Sequence, residues 1–358
     1  MSAEVGVKDG VALNAAGPRW WKNESAEGLW RNLGLVGVLL ALFAIGAVIR
    51  PDLYGNIDWV TNNMMVILTQ AAAIGVVTVG MTFVIIGGGI DLSVGALIAL
   101  SGVWATTVAT QSFGPAGMIF TAIAVGVGAG LVNGLLIAYG RLVPFIATLA
   151  MLVAARGLAA AISGKQTQVS NDQFINSLAK ERVLGVPLLV IILLVVAGLG
   201  WVLLNRTTFG RRTIAIGGNA EAARLAGINV RGHTMLLYAL SGLCCGIAAI
   251  MLTSLATSSQ AAAAELYELD AIAAAIIGGT LLSGGRGTIV GSLFGVIVFS
   301  AITNLFAIAN LPTEVQNMVK GAIIVVAVLI QQVRFSSVTQ FARRHGLSRP
   351  KAGTPQQT

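Results

Sequence analysis

The stretch Val76-Val77-Thr78-Val79-Gly80-Met81-Thr82-Phe83-Val84-Ile85-Ile86-Gly87-Gly88-Gly89-Ile90-Asp91-Leu92-Ser93-Val94-Gly95 decides the fold. Its apolar part is continuous and extends back to residue 63. A membrane β-strand would alternate apolar and polar residues over about ten positions, so an unbroken run reads as helix. A bilayer core about 30 Å thick takes about 20 apolar residues of helix, and this run is long enough. Three glycines then break the helix and let the chain turn tightly. Asp91 or Ser93 caps the helix that follows. An ionisable residue this close to a membrane span is a functional candidate by default. Asp91 and Ser93 are therefore candidates for gating, or for holding the inner end of a pathway. The plain alternative is a capped turn at the membrane surface. A proton relay is a third reading, weakened because no second carboxylate lies within a span.

Working outward, the same pattern recurs. About ten candidate spans fall at residues 33–49, 63–86, 93–110, 117–139, 144–163, 186–204, 233–257, 271–283, 288–309 and 315–333. The eighth is short and glycine-terminated, and reads as a broken or re-entrant helix. Composition agrees: of 358 residues, 56% are hydrophobic, 10% are charged, and 44 are glycine. Soluble domains carry about 25% charge, and a globule of this size has too much surface to cover with so little. This excludes a soluble enzyme, a disordered chain and a nucleic-acid binder. The net charge of +8 comes from basic residues scattered among apolar runs, so it reads through membrane topology rather than nucleic acid.

Loops rich in Lys and Arg stay cytoplasmic. With the N-terminus inside, the inner segments hold Lys8, Arg19, Lys22, Arg31, Arg141, Arg206, Arg211, Arg212, Arg224, Arg231, Arg286, Arg334, Arg343, Arg344, Arg349 and Lys351. The outer loops hold Arg50, Lys165, Lys180 and Arg182. The expectation is an all-α polytopic membrane protein with both termini cytoplasmic. Residues 1–32 form an N-terminal tail, 33–333 the membrane domain and 334–358 a C-terminal tail. The polar start does not read as a secretory signal, so the first span is expected to stay as an uncleaved anchor.

The inner loop at 205–232 carries the densest local signal: Gly217-Gly218-Asn219-Ala220-Glu221-Ala222-Ala223-Arg224-Leu225-Ala226-Gly227-Ile228. Asn219 is an N-cap, Glu221 sits in the first turn where the helix dipole favours an anion, and Gly227 is a C-terminal stop. A two-turn helix with Leu225 and Ile228 as knobs suits docking into a groove on another protein. The bland reading is a helix lying on the membrane surface.

Glu221-Ala222-Ala223, three further residues and Gly227 resemble the EAA loop of ABC-importer permeases, the loop that touches the ATP-binding subunit. The Ile-x-Leu-Pro element of the fuller pattern is absent, which points away from the maltose-type branch. Gly88 to Gly95, Pro144 to Leu149, Arg156-Gly157, Ala215 to Val230 and Glu268 to Gly291 resemble permease subunits of ribose-type monosaccharide importers, over about residues 40–333. The resemblance implies an ATP-binding subunit docked at Asn219, Glu221, Ala222, Ala223, Arg224, Leu225, Gly227 and Ile228. It also implies an extracytoplasmic sugar-binding protein, a second permease copy or paralogue, and a place in the bacterial cytoplasmic membrane. Relatives carry nucleosides or branched-chain amino acids, so these remain alternatives. A self-sufficient ion-coupled transporter is a further one, with Asp91 as its available carboxylate.

Gly278 to Gly287 invites a phosphate-loop reading, but Gly285 stands where the motif needs Lys. ATP hydrolysis and cofactors are therefore not expected of this chain, and neither His233 nor His345 has spaced metal ligands beside it. Cys244 and Cys245 read as small core residues. Arg156 lies within its span, where it pairs with a carboxylate of the cluster Glu265, Glu268 and Asp270 or lines a polar path. Asn133 and Asn304 are further pathway candidates, since polar groups in lipid face protein or water. Lys165, Lys180 and Arg182, on the polar outer loop at 164–185, are candidates for docking the binding protein. Ile85-Ile86-Gly87-Gly88 recurs as Ile276-Ile277-Gly278-Gly279, which is either an internal repeat or chance.

Overall fold

The computed structural model describes residues 20–344, with side-chain surroundings for 31–329. In chain order the elements are α1 (Trp20–Ile49), α2 (Pro51–Tyr54), α3 (Ile57–Ile86), α4 (Val94–Ala105), α5 (Val108–Gln111), α6 (Gly114–Ala138) and α7 (Pro144–Ser163). There follow β1 (Gln168–Val169), α8 (Gln173–Ser177), β2 (Arg182–Val183), β3 (Val186–Pro187), α9 (Leu188–Arg206), α10 (Thr208–Gly218) and α11 (Ala220–Leu225). The chain ends with α12 (Val230–Ala256), β4 (Ser258–Ser259), α13 (Tyr267–Ile277), α14 (Ile289–Ile308) and α15 (Thr313–Arg344). The parts of the expected tails at 1–19 and 345–358 lie outside the described residues.

Among the described residues, seven helices are long and apolar enough to cross a membrane: α3, α6, α7, α9, α12, α14 and the Arg31–Ile49 part of α1. Helix α1 begins at Trp20 and α15 reaches Arg344, so helix extends into both segments read as tails. Three of the ten expected spans are not among these seven: the tenth lies within α15, the third is shorter than expected, and the eighth is short, as its glycine-terminated sequence suggests. Helix α4 has 12 residues and α13 has 11, about 18 and 16 Å at 1.5 Å per residue, half a bilayer each. The third run, 93–110, breaks because the Thr106 hydroxyl bonds back to the Gly102 carbonyl and Thr107 caps α5. Its apolar residues are continuous because α4 is enclosed by protein: every residue from Val94 to Val103 is buried.

The half-helices start side by side. A Cβ on Gly95, at the start of α4, would stand 2.5 Å from Glu268 Oε2, in the first turn of α13. They then run apart. Gly102 reaches Ser259 and Thr253 at one end of the bundle, whereas Gly278 packs on Gly291 at the other. Each follows a full-length helix, α4 after α3 and α13 after α12, and these turns lie at opposite ends. Helix α4 packs on α6 and α7, and α13 on α14 and α15. One unit is thus used twice in opposite directions, an arrangement common in transporters.

The Ile-Ile-Gly-Gly echo marks something else. Gly88 and Gly89 donate to Ile85 and Val84, and Gly279 and Thr280 donate to Ile276 and Ala275. Both are glycine-stopped helix ends with φ +84° at Gly88 and +88° at Gly279. Both lie at the same end of the bundle, so they are a local motif used twice and not the inverted unit.

Lipid offers helices no hydrophobic drive to associate, so they approach on small residues. Ala122, Gly126, Gly130 and Gly134 recur every fourth residue of α6 and face α12. A Cβ on Gly126 would overlap the Gly242 carbonyl, and one on Gly130 the Tyr238 carbonyl. Among the described residues, α6 and α12 form the most extensive helix pair. Cys244 and Cys245, on α12 itself, are free thiols buried in the core.

Candidate functional site

At the end of the bundle that carries the glycine turns, the segment between α9 and α12 folds into two helices. Asn219 Oδ1 accepts from the Ala222 amide at 2.9 Å. Ile228 N–H donates to Ala223 and Gly227 N–H to Arg224, with Gly227 at φ +81°, which closes α11 with a Schellman turn. Glu221 sits in the first turn and accepts from Arg224 Nε at 3.0 Å. The Arg224 guanidinium beside it holds the Glu221 carboxyl below the usual carboxylate range. Leu225 is 75% exposed, Ala223 is buried, and Ile228 is half-buried. Of the two expected knobs, Leu225 therefore stands free and Ile228 is partly covered.

Helix α10 has no counterpart among the elements expected from the sequence. Thr207 caps α10 by accepting from the Phe209 amide. Three glycines hid the helix, and two of them are contact points: Gly210 packs on the Leu204 carbonyl and Gly217 on the Ile86 carbonyl. Thr213 Oγ1 and His233 Nε2 are 2.8 Å apart, which fastens α10 to the first turn of α12.

Above this end lies a buried polar centre. Asp91 accepts from the Ser93 amide at 3.0 Å, the Ser93 hydroxyl at 2.6 Å and the Ser241 hydroxyl at 2.9 Å. Asn133 donates to Ser93 Oγ at 2.9 Å. All four side chains are buried, Asp91, Ser93 and Asn133 completely. The glycine turn thus brings the chain back into the bundle, where Asp91, before the N-terminus of α4, meets Ser241 of α12, and Ser93 meets Asn133 of α6. Three of the five pathway candidates, Asp91, Ser93 and Asn133, are brought together. Ser241 was missed, since a lone serine in an apolar span carries no signal by itself.

Asn304 and Arg156 belong elsewhere. Asn304 and Asn63 exchange amide hydrogen bonds of 3.0 and 3.1 Å between α14 and α3. Arg156 Nη1 donates to the carbonyls of Ala261 and Ala263, both at 2.7 Å. Its hydrogen-bond partners are thus backbone oxygens rather than a carboxylate of the expected cluster, although Glu268 lies nearby across Gly95. Asp270 instead pairs with Lys320 at 3.1 Å.

At the opposite end, Lys165, Lys180 and Arg182 are exposed on the segment between α7 and α9. That segment is ordered by β1 pairing with β4, β2 pairing with β3, and the Ala179 amide on Ser254 Oγ. Nearby, a cavity of about 330 Å³ is lined by Ile98, Thr253, Ser258, Ser259, Gln260 and Tyr267 among others.

Membrane-length helices packed around two enclosed half-helices define a multi-pass membrane protein. The chain belongs to the family described as the branched-chain amino acid transport system permease component, which residues 63–328 match. It is 39% identical to a ribose import permease protein of Bacillus subtilis, over 86% of this chain and 94% of the relative. The ribose import permease protein of Escherichia coli K12 is 36% identical over 82% and 91%. An L-arabinose ABC transporter permease protein of Azospirillum brasilense is 36% identical over 86% and 90%. No solved structure matches the chain.

Proposed function

We propose that the chain is the membrane-spanning subunit of an ATP-binding cassette importer that passes a monosaccharide across the bacterial cytoplasmic membrane. A separate subunit hydrolyses ATP, a soluble sugar-binding protein delivers the substrate from outside, and a second permease copy completes the pathway. The chain contributes no ATPase site and no cofactor. The observation that carries the reading is α11, a short helix capped at both ends that holds Leu225 clear of the protein. It is supported by relatives whose names specify ribose import and an L-arabinose ABC transporter.

In this reading all ten helical segments belong to the membrane domain, with α4 and α13 as halves. The end with α10 and α11 faces the cytoplasm together with both termini. The Asp91 centre acts at the inner half of the pathway. Lys165, Lys180 and Arg182 steer the binding protein, a role that rim charges fill through association rate. The test is uptake of labelled D-ribose, L-arabinose and D-galactose into vesicles, with and without the ATP-binding subunit. Uptake of one of these sugars that requires both the subunit and ATP is expected. Uptake driven by an ion gradient alone would replace the importer reading with a secondary transporter.

A further inference from the structure

The ends of α3 and α10 meet the segment between α13 and α14 main chain to main chain. The Gly285 amide donates to the Ile86 carbonyl at 2.8 Å. Gly217, in the last turn of α10, lies against that same carbonyl: a Cβ there would overlap the Ile86 oxygen and stand 2.6 Å from the Gly285 nitrogen. A Cβ on Gly284 would stand 2.8 Å from the Gly217 oxygen and 3.0 Å from Gly88 Cα. The next residue along, Gly218, has its Cβ position in open space.

Three backbones in contact have no rotamers to absorb a displacement, because packed interiors transmit strain instead of yielding. Asn219 is at once the C-cap of α10 and the N-cap of α11, so the two helices are joined by one residue. On the other side, Ile86 is the last residue of α3. Five residues later the chain reaches Asp91, and eight residues later α4 starts at Val94.

We infer that Gly217 is a positioning residue for transport. Seated on the Ile86 carbonyl, it passes movement of α11 into the α3–α4 turn and the 278–288 segment. This rests on the importer reading for what moves α11. It goes beyond that reading in naming where the movement enters the membrane domain. The flanking helices α9 and α12 are then not its sole route.

The paired variants Gly217→Ala and Gly218→Ala test this in the complete transporter, reconstituted with its ATP-binding subunit. Both add one methyl group to neighbouring residues of one helix end, and only the first methyl meets backbone. With the best-transported sugar of the three-sugar panel, Gly217→Ala is expected to lower sugar moved per ATP hydrolysed at least tenfold, with the subunit still bound and hydrolysing ATP. Gly218→Ala is expected to stay within twofold of wild type. Equal behaviour of the two variants, or a parallel fall in hydrolysis and uptake at unchanged ratio, overturns the proposal.

Should Gly217→Ala not accumulate, amide hydrogen exchange on the wild-type complex decides. The Gly285 amide is expected to be protected both without nucleotide and with trapped ATP. Exchange as fast as in an exposed loop in either state overturns the joint. Wild-type uptake that needs no ATP would refute the importer reading alone, because the Gly285 exchange is measured independently of it.

Discussion

The Asp91 carboxylate accepts a hydrogen bond of 2.9 Å from the Ser241 hydroxyl, across 150 positions of sequence. The contact joins the glycine turn to the middle of α12, and Ser93 and Asn133 extend it to α4 and α6. A buried carboxylate is tolerated when its acceptor sites are filled, and the three bonds to Asp91 come from groups of fixed position. The centre therefore holds the start of a half-helix within the bundle, where no water-exposed loop would anchor it.

Its removal has a graded outcome. Ser241→Ala loses one interhelical hydrogen bond, which in membrane proteins averages about 0.6 kcal/mol and reaches about 1.7. Asp91→Ala strands the Ser93 amide and two hydroxyls, each buried unsatisfied group costing roughly 1–3 kcal/mol. The purified Asp91→Ala protein should unfold at markedly lower temperature in detergent than Ser241→Ala, and transport should fail in Asp91→Ala first. Equal thermal stability of the two variants would contradict the network.

The α6–α12 seam gives a second expectation. Gly126 meets the Gly242 carbonyl with no room for a side chain. Gly126→Val should force the helices apart, with an overpacking cost of roughly 1–3 kcal/mol. Gly128, two residues away and facing open space, should accept Val with little loss. Detergent-resistant folding, followed by fluorescence size-exclusion, compares them; similar elution profiles would refute the seam as the tightest contact.

The Asp270–Lys320 pair ties half-helix α13 to α15. Its side chains keep 12% and 18% of their exposure, and Lys320 also lies over the Phe299 ring. Breaking one partner of a buried pair costs roughly 3–5 kcal/mol, and the residual exposure places Lys320→Met at the low end. Met fills the stem volume but leaves Asp270 buried without its cation. The double change Asp270→Leu with Lys320→Met should recover much of the stability. A thermal melt in which the double variant is no better than the single would show that the pair is not coupled.

How far the sequence reaches is seen at α4 and α11. Apolar length located the seven long apolar helices, and the cap and stop residues located α11 to within a residue. The half-length of α4 was hidden because hydropathy reports freedom from water and does not distinguish lipid from surrounding protein. Helix α10 was hidden because Gly210 and Gly217 lower helix propensity, whereas packing against carbonyls requires glycine there. The grouping of Asp91 with Ser241 and Asn133 depends on which faces of α6 and α12 meet, and no local pattern encodes that.

Topology has a direct measurement. Arg206, Arg211, Arg212, Arg224 and Arg231 cluster at the end with α11, and Lys165, Lys180 and Arg182 at the other. In the proposed orientation the larger basic cluster lies on the cytoplasmic side. In a background without Cys244 and Cys245, a cysteine at Lys180 should react with an impermeant maleimide in intact cells. One at Arg212 should react only after permeabilisation, and the reverse pattern would invert the orientation.

The coupling role of α11 has its cleanest probe at Gly227. The residue has φ +81° and its Cβ position meets nothing within 4 Å, so a substitution there acts through backbone strain alone. A left-handed conformation costs an L-residue about 1–2 kcal/mol, and a β-branched side chain fits it worst. Gly227→Val should therefore loosen the Schellman turn that closes α11 and let Leu225 shift, while the membrane helices stay folded. Glu221→Lys attacks the other end: it removes the bond from Arg224 and places a cation at the positive end of the helix. Both variants should reach the membrane at wild-type levels. Both should lose binding-protein-stimulated ATP hydrolysis, Gly227→Val more completely, because it displaces the apolar contact and not just a screened surface charge. Asn219→Asp keeps an N-cap acceptor and should retain activity. Full stimulation in both Gly227→Val and Glu221→Lys would remove α11 as the coupling element, and with it the main physical support for an ATP-driven permease.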